Sequence, residues 1–448
     1  MKIGMLGVGF PNFRHDIGNE YYQAIRKEWQ QKDGVTVAGP TSIGIEEKAI
    51  LGEIQALAKE EIDALILVCA TYSFGSILSE VVRRFPKTPL LLWGFEEPML
   101  EGSVELPLNS LCGLNMYASF LNRWDHPFSY VYGGVESEAV WKQAETFLQA
   151  MRAKAALASA KFCVVGGRVP GFYLSEVNEL KFRQAIGPEI DRKDLSEVMA
   201  RMAAFTADEV KAAGQDLLKS VAEITAGDRN VEQTIRLTLA LKAMAEEEGI
   251  TAYAIKCWPE FQSILGISAC GAVALLNDAG IMTACEGDVT ALATMLTQKV
   301  WSDSPCFLAD WVNINAAGDA KMWHCGPAAP SLAAQGQPVK LTDHPTIRQG
   351  MGTAMEFTLK TGDVTLMKLS EGKDGYRMLL ESGSAIEPDR TLFANQMDVR
   401  FTQDANEVLK RVMDHGFEHH YVLAYGRFEQ ETRELCKWLD VDVIGGQV

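Results

Sequence analysis

The 448-residue chain has no excess of positive charge, no closely spaced cysteine pair and no long apolar run. Its 42 lysines and arginines are outnumbered by 59 aspartates and glutamates, giving a formal net charge of −17. This balance argues against nucleic acid or an anionic membrane as a partner. The nine cysteines are dispersed without a C-x-x-C pair, so neither a zinc knuckle nor a thiol redox motif is indicated. Dispersed, odd-numbered thiols favour a reducing compartment, and we expect a cytoplasmic protein.

Two apolar segments are candidates for a signal peptide or a membrane span. The first apolar run is too short for a signal peptide. The longest weakly polar run, residues 266–285, contains Asn277 and Asp278 and is a poor membrane span. We interpret it as a buried helix that leads into a strand. With 47% hydrophobic and 23% charged residues, the composition is that of an ordinary globular protein.

The order of apolar segments predicts the fold class. Residues 64–69 and 89–93 are apolar without alternation, which is typical of parallel strands covered on both faces. The strand–helix pattern restarts at residue 161, and short β-rich segments separated by T-G-D and E-G-K-D-G turns follow Pro327. We therefore predict an α/β protein with two doubly wound α/β domains, residues 1–155 and 156–330, followed by a C-terminal β-rich domain, residues 331–448.

The glycines of the first strand do not form a dinucleotide-binding fingerprint. Gly7 and Gly9 would require a third glycine at position 12, where the chain has Asn12. The following loop, residues 10–16, is polar and aromatic, so it either binds a small polar ligand or is only structural.

Two apolar runs each end on a carboxylate. Residues 281–285 precede Glu286, and residues 306–309 precede Asp310. Apolar positions at helical spacing lie between them, which predicts a βαβ unit. Because open α/β sheets bind ligands beyond the carboxyl ends of their strands, we expect both carboxylates to face one cleft.

A hairpin is predicted after Asp310. Residues 311–315 and 320–324 flank a turn at Gly318, which places His324 opposite Asp310 or one position away. Two carboxylates and an imidazole suit a divalent metal; oxygen ligands favour Mg²⁺ or Mn²⁺, and the imidazole favours a transition metal. The alternative is that Asp288 only caps its helix, that Glu286 and Asp310 are solvated, and that His324 is a structural strand residue.

Two further segments contain candidate pocket residues. The loop after the predicted strand 250–255 carries Trp258, Glu260 and Gln262 at the same sheet edge. Adjacent histidines, His419 and His420, enter an apolar strand in a chain with only seven histidines. The alternative for this pair is one exposed and one structural histidine.

These motifs resemble the metal-dependent ketol-isomerases of the L-fucose isomerase and L-arabinose isomerase superfamily. Residues 285–289, C-E-G-D-V, resemble the E-G-D segment that carries the first metal-binding glutamate of arabinose isomerases. Residues 307–311, F-L-A-D-W, resemble the F-A-D segment of fucose isomerases, whose aspartate is the second ligand. Residues 416–423 resemble the stretch in which Asn-His precedes a strand and the histidine binds metal. His420 matches that ligand, and His419 replaces a substrate-facing asparagine.

The resemblance implies an aldose–ketose isomerase, and residues 322–324 resemble a region that supplies a further metal-binding histidine in arabinose isomerases. It implies a divalent metal cofactor, Mn²⁺ first with Mg²⁺ or Co²⁺ as alternatives, and a homo-oligomer with active sites between subunits. Glu286 and Asp310 are the predicted catalytic residues, and the predicted metal ligands are Glu286, Asp310 and His420, with His324 as a further candidate. The predicted substrate contacts are Arg14 and His15 from a neighbouring subunit, Trp258, Glu260, Gln262, Trp311 and His419.

The substrate and two alternative functions stay open. Basic residues near the predicted strand ends would accept a sulfonated or phosphorylated hexose; these are Arg14, His15, Arg168, Lys256 and Arg427. A neutral deoxy sugar or pentose is equally compatible with the sequence. The alternatives are a non-catalytic sugar-binding or sensing protein of the same fold and another metal-assisted sugar enzyme, such as an aldolase or hydrolase.

Overall fold

The computed structural model describes residues 1–99, 106–302, 304–346 and 350–446. The chain forms two compact units, Met1–Ala155 and Ala156–Val448. The further division at residue 330 and the roles assigned to the three domains stay predictions.

The first unit is built on a five-stranded parallel sheet with strand order β2-β1-β3-β4-β5. Its central strands β3 and β4 are buried at every position, which explains their uninterrupted apolar sequence. The strands are β1 (Lys2–Val8), β2 (Thr36–Ala38), β3 (Ala64–Cys69), β4 (Leu90–Gly94) and β5 (Ser129–Tyr132). The helices are α1 (His15–Gln31), α2 (Glu47–Leu57), α3 (Gly75–Arg84), α4 (Ser110–Arg123) and α5 (Glu138–Ser159).

The second unit begins with a four-stranded parallel sheet, in the order β10-β9-β6-β7. Its strands are β6 (Lys161–Val165), β7 (Glu189–Lys193), β9 (Ala252–Ile255) and β10 (Thr283–Ala284). The helices of this part are α6 (Glu179–Ala185), α7 (Leu195–Ala204), α8 (Ala207–Leu217), α9 (Asp228–Glu248), α10 (Cys270–Asp278) and α11 (Val289–Trp301). As predicted for residues 266–285, α10 is a buried helix that leads into a strand.

A ten-stranded, mostly antiparallel sheet completes the second unit, in the order β19-β16-β15-β18-β11-β12-β17-β14-β13-β8. Its strands are β8 (Glu223–Ile224), β11 (Phe307–Ile314), β12 (Ala320–His324), β13 (Lys340–Asp343), β14 (Thr353–Thr358), β15 (Gly362–Glu371), β16 (Tyr376–Ile386), β17 (Asn395–Phe401), β18 (His420–Tyr425) and β19 (Asp442–Gly445). Helices α12 (Ala405–His415) and α13 (Glu429–Leu439) lie between its last strands in sequence. The predicted fold class, parallel α/β sheets followed by a β-rich part, is confirmed.

One topological prediction is wrong. The strands before Glu286 and Asp310 do not belong to one parallel sheet, because β10 pairs with β9 whereas β11 pairs antiparallel with β12 and β18. The connecting helix α11 packs against strands of both sheets and is buried over residues 289–298. A helix that is apolar on every side lies between two layers, so the chain changes sheet here instead of returning to the first.

The predicted hairpin between β11 and β12 is present. Its turn is closed by a hydrogen bond from Asn315 N to Asp319 O of 2.9 Å. Gly318 adopts a φ of +84° there, which glycine tolerates without steric cost. Asp310 pairs with Trp323, so His324 lies one position from the directly opposed residue. Within the residues that the structure describes, no helix is both long and apolar enough to cross a lipid bilayer.

A buried ion pair in the ten-stranded sheet gives a stability prediction. Lys321 on β12 opposes Asp398 on β17, with 2.6 Å between Nζ and Oδ1 and side chains 5% and 1% exposed. We expect Lys321→Met to lower the free energy of unfolding by about 3–5 kcal/mol, because the carboxylate then stays buried without its cation. Urea denaturation of the intact chain measures the change.

The control is Lys219→Met, which removes an exposed pair with Asp216 and should change stability by less than about 1 kcal/mol. The double variant Lys321→Met/Asp398→Leu should recover much of the loss. Equal effects of Lys321→Met and Lys219→Met would contradict this prediction.

Candidate functional site

A strained turn positions Glu286 at the carboxyl end of the four-stranded sheet. Glu286 and Gly287 have φ values of +61° and +70°, and Gly287 N donates to Ile255 O at 3.0 Å. A Cβ atom at Gly287 would lie 2.8 Å from Gly167 O, so a larger residue would displace the backbone. A glutamate in the left-handed region is uncommon, and such strain is concentrated at functional sites.

The ten-stranded sheet supplies the partners of Glu286. Asp310 on β11 lies directly opposite His420 on β18, and directly opposed side chains share a face of the sheet. His420 Nε2 is 4.0 Å from Asp310 Oδ1 and 3.4 Å from Glu286 Oε2. The structure therefore brings together three residues that are far apart in the sequence, although Asp310 arrives from a different sheet than predicted.

The orientation of His420 is set by Asp288. Asp288 Oδ2 lies 3.0 Å from His420 Nδ1, and Asp288 Oδ1 accepts the Ala291 N–H at 2.8 Å as the N-cap of α11. Lys368 Nζ is 3.0 Å from the same carboxylate, and both side chains are buried. Because a carboxylate only accepts hydrogen bonds, Nδ1 must donate, which leaves Nε2 facing Glu286 and Asp310.

Nearby positive charges and hydrogen bonds keep Asp288 and Glu286 ionised. Burial would raise the pKa of Asp288, but the Lys368 ammonium and His420 bring it well below its usual range. Burial would likewise raise the pKa of Glu286, whereas the hydrogen bond from His419 and the charges of His420 and His324 lower it overall. The same hydrogen bond, 3.0 Å from His419 Nε2 to Glu286 Oε2, raises the pKa of His419.

The donor atoms of this site fit a divalent metal. Among the buried side-chain atoms that make no hydrogen bond to a described residue are Asp310 Oδ1 and His420 Nε2. His324 Nε2 is a further such atom, but His324 Nδ1 accepts the Cys325 N–H at 2.8 Å, so a neutral His324 ring carries its proton on Nε2. The His324 ring stacks on His420 with centroids 5.5 Å apart. Buried polar atoms are costly without a partner, and carboxylate oxygens with imidazole nitrogens suit Mn²⁺, Mg²⁺ or Co²⁺.

A pocket of about 310 Å³ opens beside these donors, a volume at the lower end of ligand-binding pockets. Phe172 lies on its wall, with ring centroids 5.6 Å from His419 and 5.7 Å from Trp258. The pocket is lined by Gly171, Phe172, Tyr173, Leu174, Ser175, Glu286, Asp288, Glu418, His419 and His420.

Apart from His419, the predicted substrate contacts of the second unit are not among the residues that line this pocket. Glu260 pairs with Lys256 at 2.7 Å, and Gln262 is buried with its amide donating to Cys257 O at 3.2 Å. Trp258 contacts Phe172, which lines the pocket. Trp311 packs against Tyr421 and lines a neighbouring pocket of about 340 Å³ together with Asp310 and His419.

Arg14 and His15 belong to the first unit. His15 is the first residue of α1, and Arg14 is paired with Asp16 at 2.6 Å on an exposed surface. Their contact with a substrate bound in a neighbouring subunit stays a prediction.

Sequence reasoning missed the residues that support His420. Asp288 was interpreted only as a helix cap, which it is, and its hydrogen bond to His420 was not foreseen. Lys368 lies 3.7 Å from Glu418 as well as beside Asp288. The detectable signal was a single lysine within the otherwise uncharged strand residues 364–370, since a charge in a buried strand requires a partner.

Comparisons with known proteins relate this chain to sugar isomerases. Residues 322–445 match the family described as the L-fucose isomerase C-terminal domain. The sulfoquinovose isomerase of Priestia megaterium (strain ATCC 12872 / QMB1551) is 28% identical over 426 residues, covering 94% of this chain and 94% of that protein. The sulfoquinovose isomerase of Alkalicoccus urumqiensis is 28% identical over 384 residues, covering 85% and 86%. The matched domain and the relatives of nearly equal length support the predicted resemblance of this chain to the L-fucose isomerase superfamily.

Proposed function

We propose that this protein is a metal-dependent aldose–ketose isomerase and that its substrate is a sulfonated aldose of the sulfoquinovose type. The observation that carries the proposal is the placement of Glu286 Oε2 and Asp310 Oδ1 at 3.4 and 4.0 Å from His420 Nε2. Ligand atoms of one ion bound at about 2.0–2.2 Å lie roughly 3–4 Å apart. Both relatives described above are named sulfoquinovose isomerase.

The proposed metal ligands are Glu286, Asp310 and His420. His324 is not part of this set, because its Nδ1 accepts the Cys325 N–H and its Nε2 then carries the ring proton. Mn²⁺ is the ion we favour because the set combines two carboxylates with an imidazole nitrogen. When bound, such an ion acts as a Lewis acid that stabilises negative charge developing on neighbouring sugar oxygens. We further propose a cytoplasmic homo-oligomer in which Arg14 and His15 of one subunit contact the substrate of another.

The two carboxylates move the protons of the reaction. Converting an aldose to its ketose transfers one proton from C2 to C1 and another from O2 to O1. One carboxylate takes the C2 proton as general base and delivers it to C1, while the other serves the two oxygens. The lowered pKa of Glu286 keeps this group ionised at neutral pH, as a base requires. His419, hydrogen-bonded to Glu286, holds its carboxylate in place.

We expect Glu286→Gln and Asp310→Asn each to lower kcat by at least about 100-fold, because an amide neither accepts a proton nor supplies an anionic ligand. Ketose formation from the sulfonated aldose measures the loss, and far-ultraviolet circular dichroism checks the fold. Glu232→Gln, which removes an exposed carboxylate paired with Arg236 on α9, is the matched control. Full activity in both site variants would eliminate the proposed mechanism.

Asp288→Asn should weaken Mn²⁺ binding by about 10- to 100-fold, the usual effect of losing a residue that orients a metal-binding histidine. Asparagine is an equally good helix cap, so the change keeps the cap and removes the charge that His420 and Lys368 contact. Chelator-stripped protein titrated with Mn²⁺ gives the affinity, and activity should return with bound metal. Asp194→Asn, at the N-cap of α7, is the control. Unchanged affinity in Asp288→Asn would show that this carboxylate does not support a ligand.

Arg168 is the basic residue that we assign to the sulfonate. Its guanidinium lies 4.7 Å from the ring centroid of Tyr173, which lines the pocket. A lost charge-assisted hydrogen bond is worth about 1.5–3 kcal/mol, so Arg168→Gln should raise KM for the sulfonated aldose by about 10- to 100-fold without affecting neutral aldoses. The control is Arg183→Gln, which removes an exposed ion pair between Arg183 on α6 and Glu189. An equal change for both sugar classes would remove this assignment.

A further inference from the structure

The fold gathers cysteines that the sequence disperses. Cys270 is the first residue of α10, Cys325 follows β12, and His344 follows β13. Cys270 Sγ lies 3.6 Å from Cys325 Sγ and 3.3 Å from His344 Nε2. All three side chains are buried, and their donor atoms lie within 4.8 Å of one another. Three segments separated by 55 and 19 residues in sequence therefore present two thiols and an imidazole to one point.

The distances match those around a transition metal with tetrahedral geometry. With zinc–sulfur bonds of about 2.3 Å and zinc–nitrogen bonds of about 2.0–2.1 Å, neighbouring ligand atoms lie roughly 3.3–3.8 Å apart. A disulfide would require sulfur atoms about 2.05 Å apart, and both cysteines are free. Buried cysteines ordinarily pack as small apolar groups, whereas these two face each other and a histidine.

The surroundings supply further thiols and a partner for the imidazole. Two further buried cysteines, Cys285 and Cys257, lie next to Cys270. His344 Nε2 faces Cys270 Sγ at 3.3 Å, while Nδ1 lies 3.5 Å from Thr346 Oγ1 and 3.4 Å from Thr346 N. Metal binding at Nε2 requires the tautomer in which Nδ1–H donates to Thr346 Oγ1. A cluster of this composition suits a thiophilic ion, in contrast to the oxygen-rich centre at Glu286 and Asp310.

We propose that Cys270 Sγ, Cys325 Sγ and His344 Nε2 bind a Zn²⁺ ion as three of its four tetrahedral ligands, at a centre separate from the proposed catalytic metal. Binding releases two thiol protons to solvent, and the two thiolates balance the charge of the dication. The ion ties the start of α10 to the ends of β12 and β13. Cys325 also contacts His324, with 3.3 Å between Sγ and Nδ1, so the zinc centre steadies the strand end that presents His324 to the pocket.

Cobalt distinguishes this centre from the catalytic one. Protein produced with Co²⁺ as the supplied transition metal should contain two cobalt ions per chain and show a thiolate-to-cobalt charge-transfer band in the near ultraviolet. The double variant Glu286→Gln/Asp310→Asn should keep the band with one cobalt ion, because that centre has no sulfur ligand. Cys270→Ala should lose the band and keep one cobalt ion.

The matched control is Cys306→Ser, whose buried thiol donates to Met295 O outside the cluster and which should keep the band. If Cys270→Ala does not fold, the spectra of the wild-type chain and the double variant still decide. Absence of the band in cobalt-loaded wild-type protein would overturn the proposal, as would its persistence in Cys270→Ala. A Cys270–Cys325 disulfide in metal-free protein isolated without reductant would also overturn the zinc proposal and would indicate a redox role for the two cysteines.

Discussion

The hydrogen bond between Asp288 and His420 is the contact on which the site depends. Asp288 follows the parallel sheet and caps α11, whereas His420 begins a strand of the antiparallel sheet. Their 3.0 Å contact joins the two layers of the second unit. Because the carboxylate accepts a hydrogen bond from Nδ1–H, the opposite nitrogen, Nε2, faces Glu286 and Asp310. Lys368 balances the buried charge, without which Asp288 would cost several kcal/mol to bury.

Glu286 and Asp310 are positioned by sheets of different kinds. Glu286 lies at the carboxyl end of a parallel strand, where open α/β sheets place their ligands. Its backbone is held in the left-handed region by a turn that only glycine can complete at position 287. Asp310 and His420 gain their mutual position from strand register alone. Glu286 is therefore positioned by a strained turn, whereas Asp310 and His420 are positioned by strand pairing. Helix α11 connects the two sheets that carry them.

Sequence reasoning recovered the features that depend on nearby residues. The strand at Ala64–Cys69, the buried helix within residues 266–285 and the β11–β12 hairpin follow from apolar patterns and turn chemistry. The pairing of β11 with β18 could not be predicted, because more than a hundred residues separate Asp310 from His420 and periodicity carries no information on register. The prediction that β11 belongs to the parallel sheet was wrong for a related reason. A helix that is buried on all sides does not indicate to which sheet the next strand belongs.

The candidate ligands were identified from short motifs, while their supporting residues were not. Lys368 and the second role of Asp288 emerge only when β15 and β18 pack against α11. The cluster of Cys270, Cys325 and His344 is a similar case, because metal-binding spacing was absent from the sequence and the three segments meet only in the fold.

The most direct test is the position of the bound metal. Crystals of the protein soaked with Mn²⁺ and measured at a wavelength where manganese scatters anomalously should show a peak in coordination with Glu286, Asp310 and His420 Nε2. His420 Nδ1 should remain hydrogen-bonded to Asp288 in the same structure. A manganese peak elsewhere, or a loaded structure in which Glu286 and Asp310 do not contact the ion together, would contradict the account.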